Sequence, residues 1–251
     1  MISVLTLVPL FLLSSGCSTA PKPGEYTARE LLAAACPTDF GSASKPRTVQ
    51  GTVWTKIESK EISGQFPASV RAEYPTRLGV EVTNLIGSPQ AWLKIENGKT
   101  ELKFTAENDK EFGAPRIEQT LGGMPIEFAL RLFAGGVPCP EQTKDRDVRV
   151  KTSSEGDLEV EERVIRTNEV TTIHYSFTRY AGSPWVKEVR WEKLASNVGR
   201  SAKSKLIRMT REEPDSADGA PLKWSVVSEA GEIRVRWKNR GVSGLATKAG
   251  R

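Results

Sequence analysis

The chain of 251 residues has 38% apolar residues and a formal net charge of +5. A chain of this length can bury about 70% of its unfolded surface, so a single domain needs no special cross-links to fold. Beyond the N-terminal stretch no apolar run is long enough to cross a bilayer, so the rest of the chain is expected to be soluble. The charge does not indicate nucleic-acid binding, because no recognition motif accompanies it.

Residues 1–16, MISVLTLVPLFLLSSG, have the pattern of a signal peptide, with an apolar core too short to span a bilayer. The ending LSSGC resembles the lipobox of bacterial lipoproteins, in which Cys17 becomes the lipid-attached first residue. The alternative is an ordinary cleaved signal with Cys17 incidental. Residues 17–26 then form a Pro/Gly-containing tether, and Ser18 after the cysteine resembles lipoproteins sorted to the outer membrane.

Thr27 begins a predicted short helix, TARELLAAA, because Thr27 and Glu30 have the spacing of a capping box. After Cys36-Pro37 the apolar pattern changes to a period of two, which is typical of strands. Asn97-Gly98 is a type I′ hairpin signal within this region. The first half of the chain therefore predicts an antiparallel meander.

The hairpin VEVTNLIGSPQAWLKI has an unusual tip, because turn-forming residues flank two large aliphatic ones, Leu85 and Ile86. One explanation is that an aliphatic residue tucks back under the hairpin, since single exposed apolar residues are common. The other is that the pair projects and touches a membrane.

A second helix is predicted after Pro125 and before Gly135-Gly136, and it is apolar around nearly its whole circumference. Such a helix usually lies inside something. Strands then resume, giving eleven or twelve strands and two helices. We predict a mainly β fold in which a strongly curved antiparallel sheet holds the helix in its concavity. One domain spans residues 27–240, and residues 241–251 form a flexible basic tail.

Cys36 and Cys139 remain after the lipobox cysteine. An export signal and an even number of cysteines favour a disulfide between them, the alternative being two buried free thiols. The part of the chain from residue 187 onward carries 15 Lys/Arg against 8 Asp/Glu, and this basic part could be attracted electrostatically to anionic lipid head groups.

Catalysis has no obvious place in this sequence. The single histidine, His174, alternates with apolar residues in a strand and fits no metal-ligand spacing. No catalytic motif is present. The pairs Glu161-Glu162 and Glu212-Glu213 lie in charged runs and are expected to be solvated. We therefore expect a binding protein with no enzymatic activity, cofactor or metal.

The order of elements, with VTNLIGSPQAWLKI and LGGMPIEFALRLFAGGVP, resembles the LolA/LolB family of lipoprotein-localisation proteins. The resemblance implies an unclosed barrel of about eleven strands, with helices covering a hydrophobic cavity for acyl chains of lipoproteins. It places Ile86, with Leu85 beside it, on the family's membrane-touching turn. It also places Phe128, Leu132 and Phe133 on the cavity-facing helix. We expect apolar strand residues to complete the cavity wall: Val53, Ile57, Val80, Val82, Leu93, Ile95, Leu102, Phe104, Tyr175 and Phe177.

For function, the resemblance implies a lipid-anchored outer-membrane protein facing the periplasm. Such a protein receives acyl chains from a soluble carrier similar to LolA and passes them to the membrane. A monomer is expected, with no nucleic-acid partner. The alternative function is a structural or assembly lipoprotein that binds a protein partner or another lipidic ligand.

Overall fold

The computed structural model describes residues 20–60, 63–97, 99–105, 121–141, 143–194, 204–214 and 219–243. The predicted signal peptide and Cys17 lie outside these ranges. Two helices are described, α1 (Ala28–Ala35) and α2 (Ile126–Phe133). Within the described ranges, neither is long and apolar enough to cross a membrane.

Twelve strands form one sheet in which every neighbouring pair is antiparallel. Their order is β5-β4-β3-β2-β1-β12-β11-β10-β9-β8-β7-β6, so the sheet is unclosed, with β5 and β6 at its two edges. The predicted mainly β, unclosed fold is confirmed. The strands are β1 (Arg47–Ser59), β2 (Ser63–Tyr74), β3 (Arg77–Thr83), β4 (Pro89–Glu96), β5 (Lys99–Phe104), β6 (Arg146–Thr152), β7 (Leu158–Val164), β8 (Val170–Tyr180), β9 (Ser183–Leu194), β10 (Lys205–Arg211), β11 (Lys223–Ser228) and β12 (Gly231–Ser243).

A β-bulge marks the centre of the sheet, where β1 pairs with β12. The register shifts between Thr52 and Val53, and the Asn239 side chain accepts hydrogen bonds from the Thr52 backbone and hydroxyl, at 2.8 and 3.0 Å. Gly51 precedes the shift, and a Cβ atom there would lie 2.2 Å from the Asn239 carbonyl oxygen. The bulge therefore needs glycine at this point, and such bulges bend a strand and strengthen its twist.

The period-two pattern of the strands places one row of apolar residues on the inner, concave face of the sheet. These residues form one buried cluster with α2, whose Ala129, Leu130, Leu132 and Phe133 are buried. Phe133 packs edge-on against Trp224, with ring centroids 5.0 Å apart. The helix lies in the concavity because its apolar side matches the apolar inner face.

Helix α1 has the predicted capping box. The backbone N–H of Glu30 donates to the Thr27 hydroxyl, and the Thr27 N–H donates to the Glu30 carboxylate. Immediately after the helix, a disulfide joins Cys36 to Cys139. It connects the end of α1 to the segment that follows α2.

Four expectations need correction. Strand β12 continues to Ser243, because Ser243 pairs with Thr48 of the long strand β1. The first three residues of the expected tail, 241–243, therefore belong to a strand. Pro125 is the N-cap of α2 rather than a residue of its first turn. The expected tether is not free throughout, because Pro21 is buried. Glu162 is buried instead of solvated, because it shares the inner face of β7 with apolar neighbours.

Candidate functional site

All thirteen residues expected on a cavity wall belong either to the inner face of the sheet or to α2. Eight of them have 6% or less of their surface exposed, which leaves no room for a ligand beside them in this conformation. The part of the concavity that these eight residues line is therefore filled by the protein's own side chains. These eight are Val53, Ile57, Leu93, Ile95, Leu132, Phe133, Tyr175 and Phe177.

The other five are only partly buried and form what we call the apolar strip: Val80, Val82, Leu102, Phe104 and Phe128. Val80 and Leu102 lie on either side of Leu93, and Val82 and Phe104 lie on either side of Ala91. The strip therefore runs across β3 to β5, toward the open edge of the sheet. Phe128, the member on α2, packs against Trp191 of β9 with ring centroids 5.5 Å apart.

The turn between β3 and β4 is held by hydrogen bonds around Asn84. The Asn84 side-chain oxygen accepts from the backbone N–H groups of Ile86, at 3.1 Å, and Ser88, at 2.9 Å. Gly87 adopts a φ of 87°, which glycine reaches without strain. Leu85 and Ile86 are 82% and 87% exposed. The turn thus presents both aliphatic side chains to solvent, and neither tucks under the hairpin.

This turn lies at one end of the sheet, which we call the tip rim, together with the β7–β8 and β11–β12 turns. Ile165, Leu194 and Leu206 are also exposed large apolar residues near this rim. The opposite end, the base rim, carries the β6–β7 and β8–β9 turns. Exposed aliphatic side chains therefore concentrate on one rim.

The N-terminal segment packs on the base rim. The Pro21 carbonyl oxygen lies 3.2 Å from the position of a Cβ on Gly156, in the β6–β7 turn. Glu25 pairs with Arg179, near the end of β8. A hydrogen bond from the Lys22 backbone and the Arg179 guanidinium hold the pKa of Glu25 below its usual range. The chain therefore leaves the described domain at the rim opposite Leu85 and Ile86.

Tyr175 ties the interior to the disulfide region. Its hydroxyl donates to the Pro138 carbonyl oxygen at 2.8 Å and lies 3.8 Å from the Cys36 sulfur. Burial raises the pKa of this phenol well above its usual range, so it stays a neutral donor. The residue is a structural support of the concavity, since it exposes no surface for a ligand.

Two inward-facing charges pair with each other beside this region. Glu162 of β7 contacts Arg146 of β6, and Arg146 also reaches Glu141 at 2.7 Å. Only 5% of the Glu162 side chain is exposed. Without Arg146, the Glu162 carboxylate would be a buried charge with no partner, which would cost several kcal/mol. The ion pair avoids this cost.

His174 lies half-exposed in β8, with its Nδ1 atom 3.4 Å from a Glu159 oxygen. Within the described ranges, His, Cys, Asp and Glu side chains form no group of three that could hold a metal ion. The absence of enzymatic activity stays a prediction.

Sequence reasoning missed a group of arginines at the base rim. Arg47 and Arg211 are buried, and with Arg131 they surround the C-terminal end of α2. The strand alternation contained the signal, because Arg211 follows Ile207 and Met209 at inward positions of β10.

No protein-family model matches the sequence, and no curated protein matches it. Among solved structures, the chain is similar to a LolA superfamily protein from Nitrosomonas europaea, with a TM-score of 0.45 and 9% identity, over 89% of this chain and 96% of that one. It is also similar to a putative outer membrane lipoprotein-sorting protein domain from Vibrio parahaemolyticus, with a TM-score of 0.44 and 9% identity, over 88% and 92% of the two chains. These likenesses concern the course of the chain only.

Proposed function

We propose that this protein is an outer-membrane lipoprotein that accepts acyl chains of other lipoproteins from a soluble periplasmic carrier and transfers them to a membrane. The observation that carries the proposal is the pair Leu85 and Ile86, held outward on a hydrogen-bonded turn. The apolar strip begins at the base of that turn, because Val82 and Ala91 flank it. An acyl chain on the strip has a continuous apolar route to the tip.

The transfer needs no covalent chemistry. Burial of an acyl chain is worth about 25 cal/mol per Å² either on the strip or in a bilayer, so small differences in affinity set the direction. Eight of the expected wall residues are already buried against protein. A long chain therefore gains full cover only when α2 moves away from β2 and β3, against which it packs.

The position of the N-terminal segment sets a condition on this mechanism. Between Cys17 and buried Pro21, four residue spacings reach at most about 14 Å, so the base rim stays close to the anchoring bilayer. The tip rim then points away from that bilayer. For the tip to touch it, residues 21–26 must leave the base rim, which extends the tether to roughly 30 Å.

Probes on the two rims test which one meets the membrane. In the anchored protein, an environment-sensitive label is attached to cysteine at Ile86→Cys or, as the matched control, at Ser183→Cys on the base rim. Brominated lipids are expected to quench the label at position 86 during delivery of an acylated cargo. Quenching only at position 183 throughout delivery would overturn membrane contact by the tip.

The apolar strip has its own matched control on the same strand. Leu102→Asn with Phe104→Asn alters inward positions, whereas Glu101→Asn with Lys103→Asn alters an outward ion pair and keeps the net charge. Binding of a fluorescent fatty acid is expected to fall at least tenfold for the inward pair alone. Equal binding by both variants would exclude the strip as the ligand site.

A further inference from the structure

A cleft of about 370 Å³ opens at the base rim, away from the apolar strip. Its walls are the segment after α1, the residues after α2 and the start of β9. The Cys36–Cys139 disulfide joins the first two walls, since residues 37–45 follow one cysteine and residues 135–137 precede the other. These two walls are thus tied to each other by a covalent cross-link.

Arg211 forms part of this cleft and has only 8% of its surface exposed. Its Nη1 and Nη2 atoms donate to the carbonyl oxygens of Val186, at 3.3 Å, and Gly135, at 3.1 Å. Its guanidinium stacks over Trp185, 4.5 Å from the ring centroid, and its buried Nε has no hydrogen-bond partner. No carboxylate among the described residues contacts it.

A buried guanidinium without a carboxylate is unusual, because a buried charge is costly unless it is paired. Burial lowers the pKa of Arg211 to about 9, so the group still carries its charge at neutral pH. Two carbonyl oxygens satisfy two of its five N–H donors. Its positive charge therefore has no anionic partner within the described residues.

Among the described residues that line the cleft, Lys45 and Arg47 are the other cationic ones, and Asp39 is the acidic one. Arg47 is already engaged, because its Nε donates to the Ala134 carbonyl oxygen at 2.8 Å and its guanidinium lies 5.0 Å from the Phe40 ring centroid. The C-terminal end of α2 contributes about half a negative charge. Arg211 and the exposed Lys45 are therefore the cations on which an anion site here would depend.

We propose that this cleft binds a phosphate group, with Arg211 as its central cation and Lys45 at its side. Arginine suits this ligand, because its planar donors match phosphate oxygens. The phosphate belongs either to a lipid head group or to a free anion. The base rim also holds Pro21 and hence the membrane anchor, so a head group has direct access. The site goes beyond acyl-chain transfer and does not depend on it.

A purely structural role is the competing explanation, since Arg47 and Arg211 also satisfy carbonyls at the end of α2. The two explanations differ in whether the cleft binds phosphate. A structural role predicts no binding of phosphate, whereas a phosphate site predicts saturable binding that depends on the Arg211 charge.

Calorimetric titration of the full chain with inorganic phosphate, a soluble short-chain phosphatidic acid and the matching diacylglycerol tests the proposal. Arg211→Met is expected to weaken binding at least tenfold, while Arg211→Lys weakens it less. Arg236→Met is the matched control, because Arg236 is exposed on the outer face and has no ion pair within the described ranges. Lys45→Met, at an exposed position, tests the same cleft with no risk to folding.

Binding of both phosphate compounds by the wild type, lost in Arg211→Met or weakened in Lys45→Met, supports a site for the phosphate group itself. Binding of phosphatidic acid alone, with the same dependence, assigns the site to a lipid head group. No binding by the folded wild type overturns the proposal. Equal binding by wild type, Arg211→Met and Lys45→Met also overturns it, as does equal affinity for diacylglycerol.

Discussion

The turn that carries Leu85 and Ile86 gives the sharpest prediction. Replacing both residues by glutamate should leave the fold intact, because they are 82% and 87% exposed and belong to no buried cluster. Surface substitutions of this kind usually change the free energy of unfolding by less than about 0.5 kcal/mol each. The melting temperature should therefore shift by only a few degrees.

The effect on membrane binding should be large. Full burial of a Leu or Ile side chain contributes about 1.5–3 kcal/mol, so the exposed fractions of the two side chains offer roughly 2.5–5 kcal/mol together. Because each 1.4 kcal/mol is a factor of about ten, the variant should bind liposomes about a hundredfold to a few thousandfold more weakly. Flotation of the Cys17→Ser chain, which lacks the predicted lipid attachment site, measures this contribution directly.

The control variant carries Thr152→Glu and Ser183→Glu, which add the same two charges at exposed positions of the base rim. It should float like the parent chain. A loss of many degrees in melting temperature for the Leu85/Ile86 variant would show that the pair supports the fold. Unchanged flotation of that variant would refute insertion of the tip.

Three further predictions concern the framework. Cys36 and Cys139 should resist thiol labelling in the denatured, unreduced protein. The disulfide joins residues 103 positions apart in the sequence, so its removal should lower the free energy of unfolding by up to ~4–5 kcal/mol in denaturant titrations. Labelling of both would contradict the bond. Glu162→Leu should lower the free energy of unfolding by about 3 kcal/mol, and adding Arg146→Met should restore much of this loss. If the losses of the two single variants simply add in the double variant, the two residues are not coupled as an ion pair. Although burial raises the pKa of Glu188, hydrogen bonds from Arg208 and Arg190 outweigh it and hold the pKa below its usual range. Glu188→Gln should therefore cost ~1 kcal/mol at pH 7, and the difference should be lost as the pH falls through the lowered pKa of the folded protein. A pH-independent difference would contradict the electrostatic cause.

The inner face of the sheet was predictable because only one face of each strand is buried. The alternation Leu78, Val80, Val82 and the matching row of β4 identify the inner side without any knowledge of the fold. The same alternation pointed to Glu162, in line with Leu158 and Val160, but the surrounding charged run suggested a solvated strand. Local composition hid a residue that the strand register places inward.

Contacts between distant segments could not be predicted in the same way. The composition of residues 17–26 suggests a free tether, but Pro21 is buried against a turn more than 130 residues later in the chain. The arginines around α2 likewise come from β1, α2 and β10, and only the folded sheet brings them to one rim. The proposed orientation on the membrane and the proposed phosphate site both rest on these contacts.

Native mass spectrometry of the protein, purified gently from membranes, tests acyl-chain binding most directly. We expect a bound species with the mass of an acylated ligand, which added fatty acid displaces and which is reduced in the Leu102→Asn, Phe104→Asn variant. A protein that is free of any acyl ligand and fails to bind fluorescent lipid would contradict it.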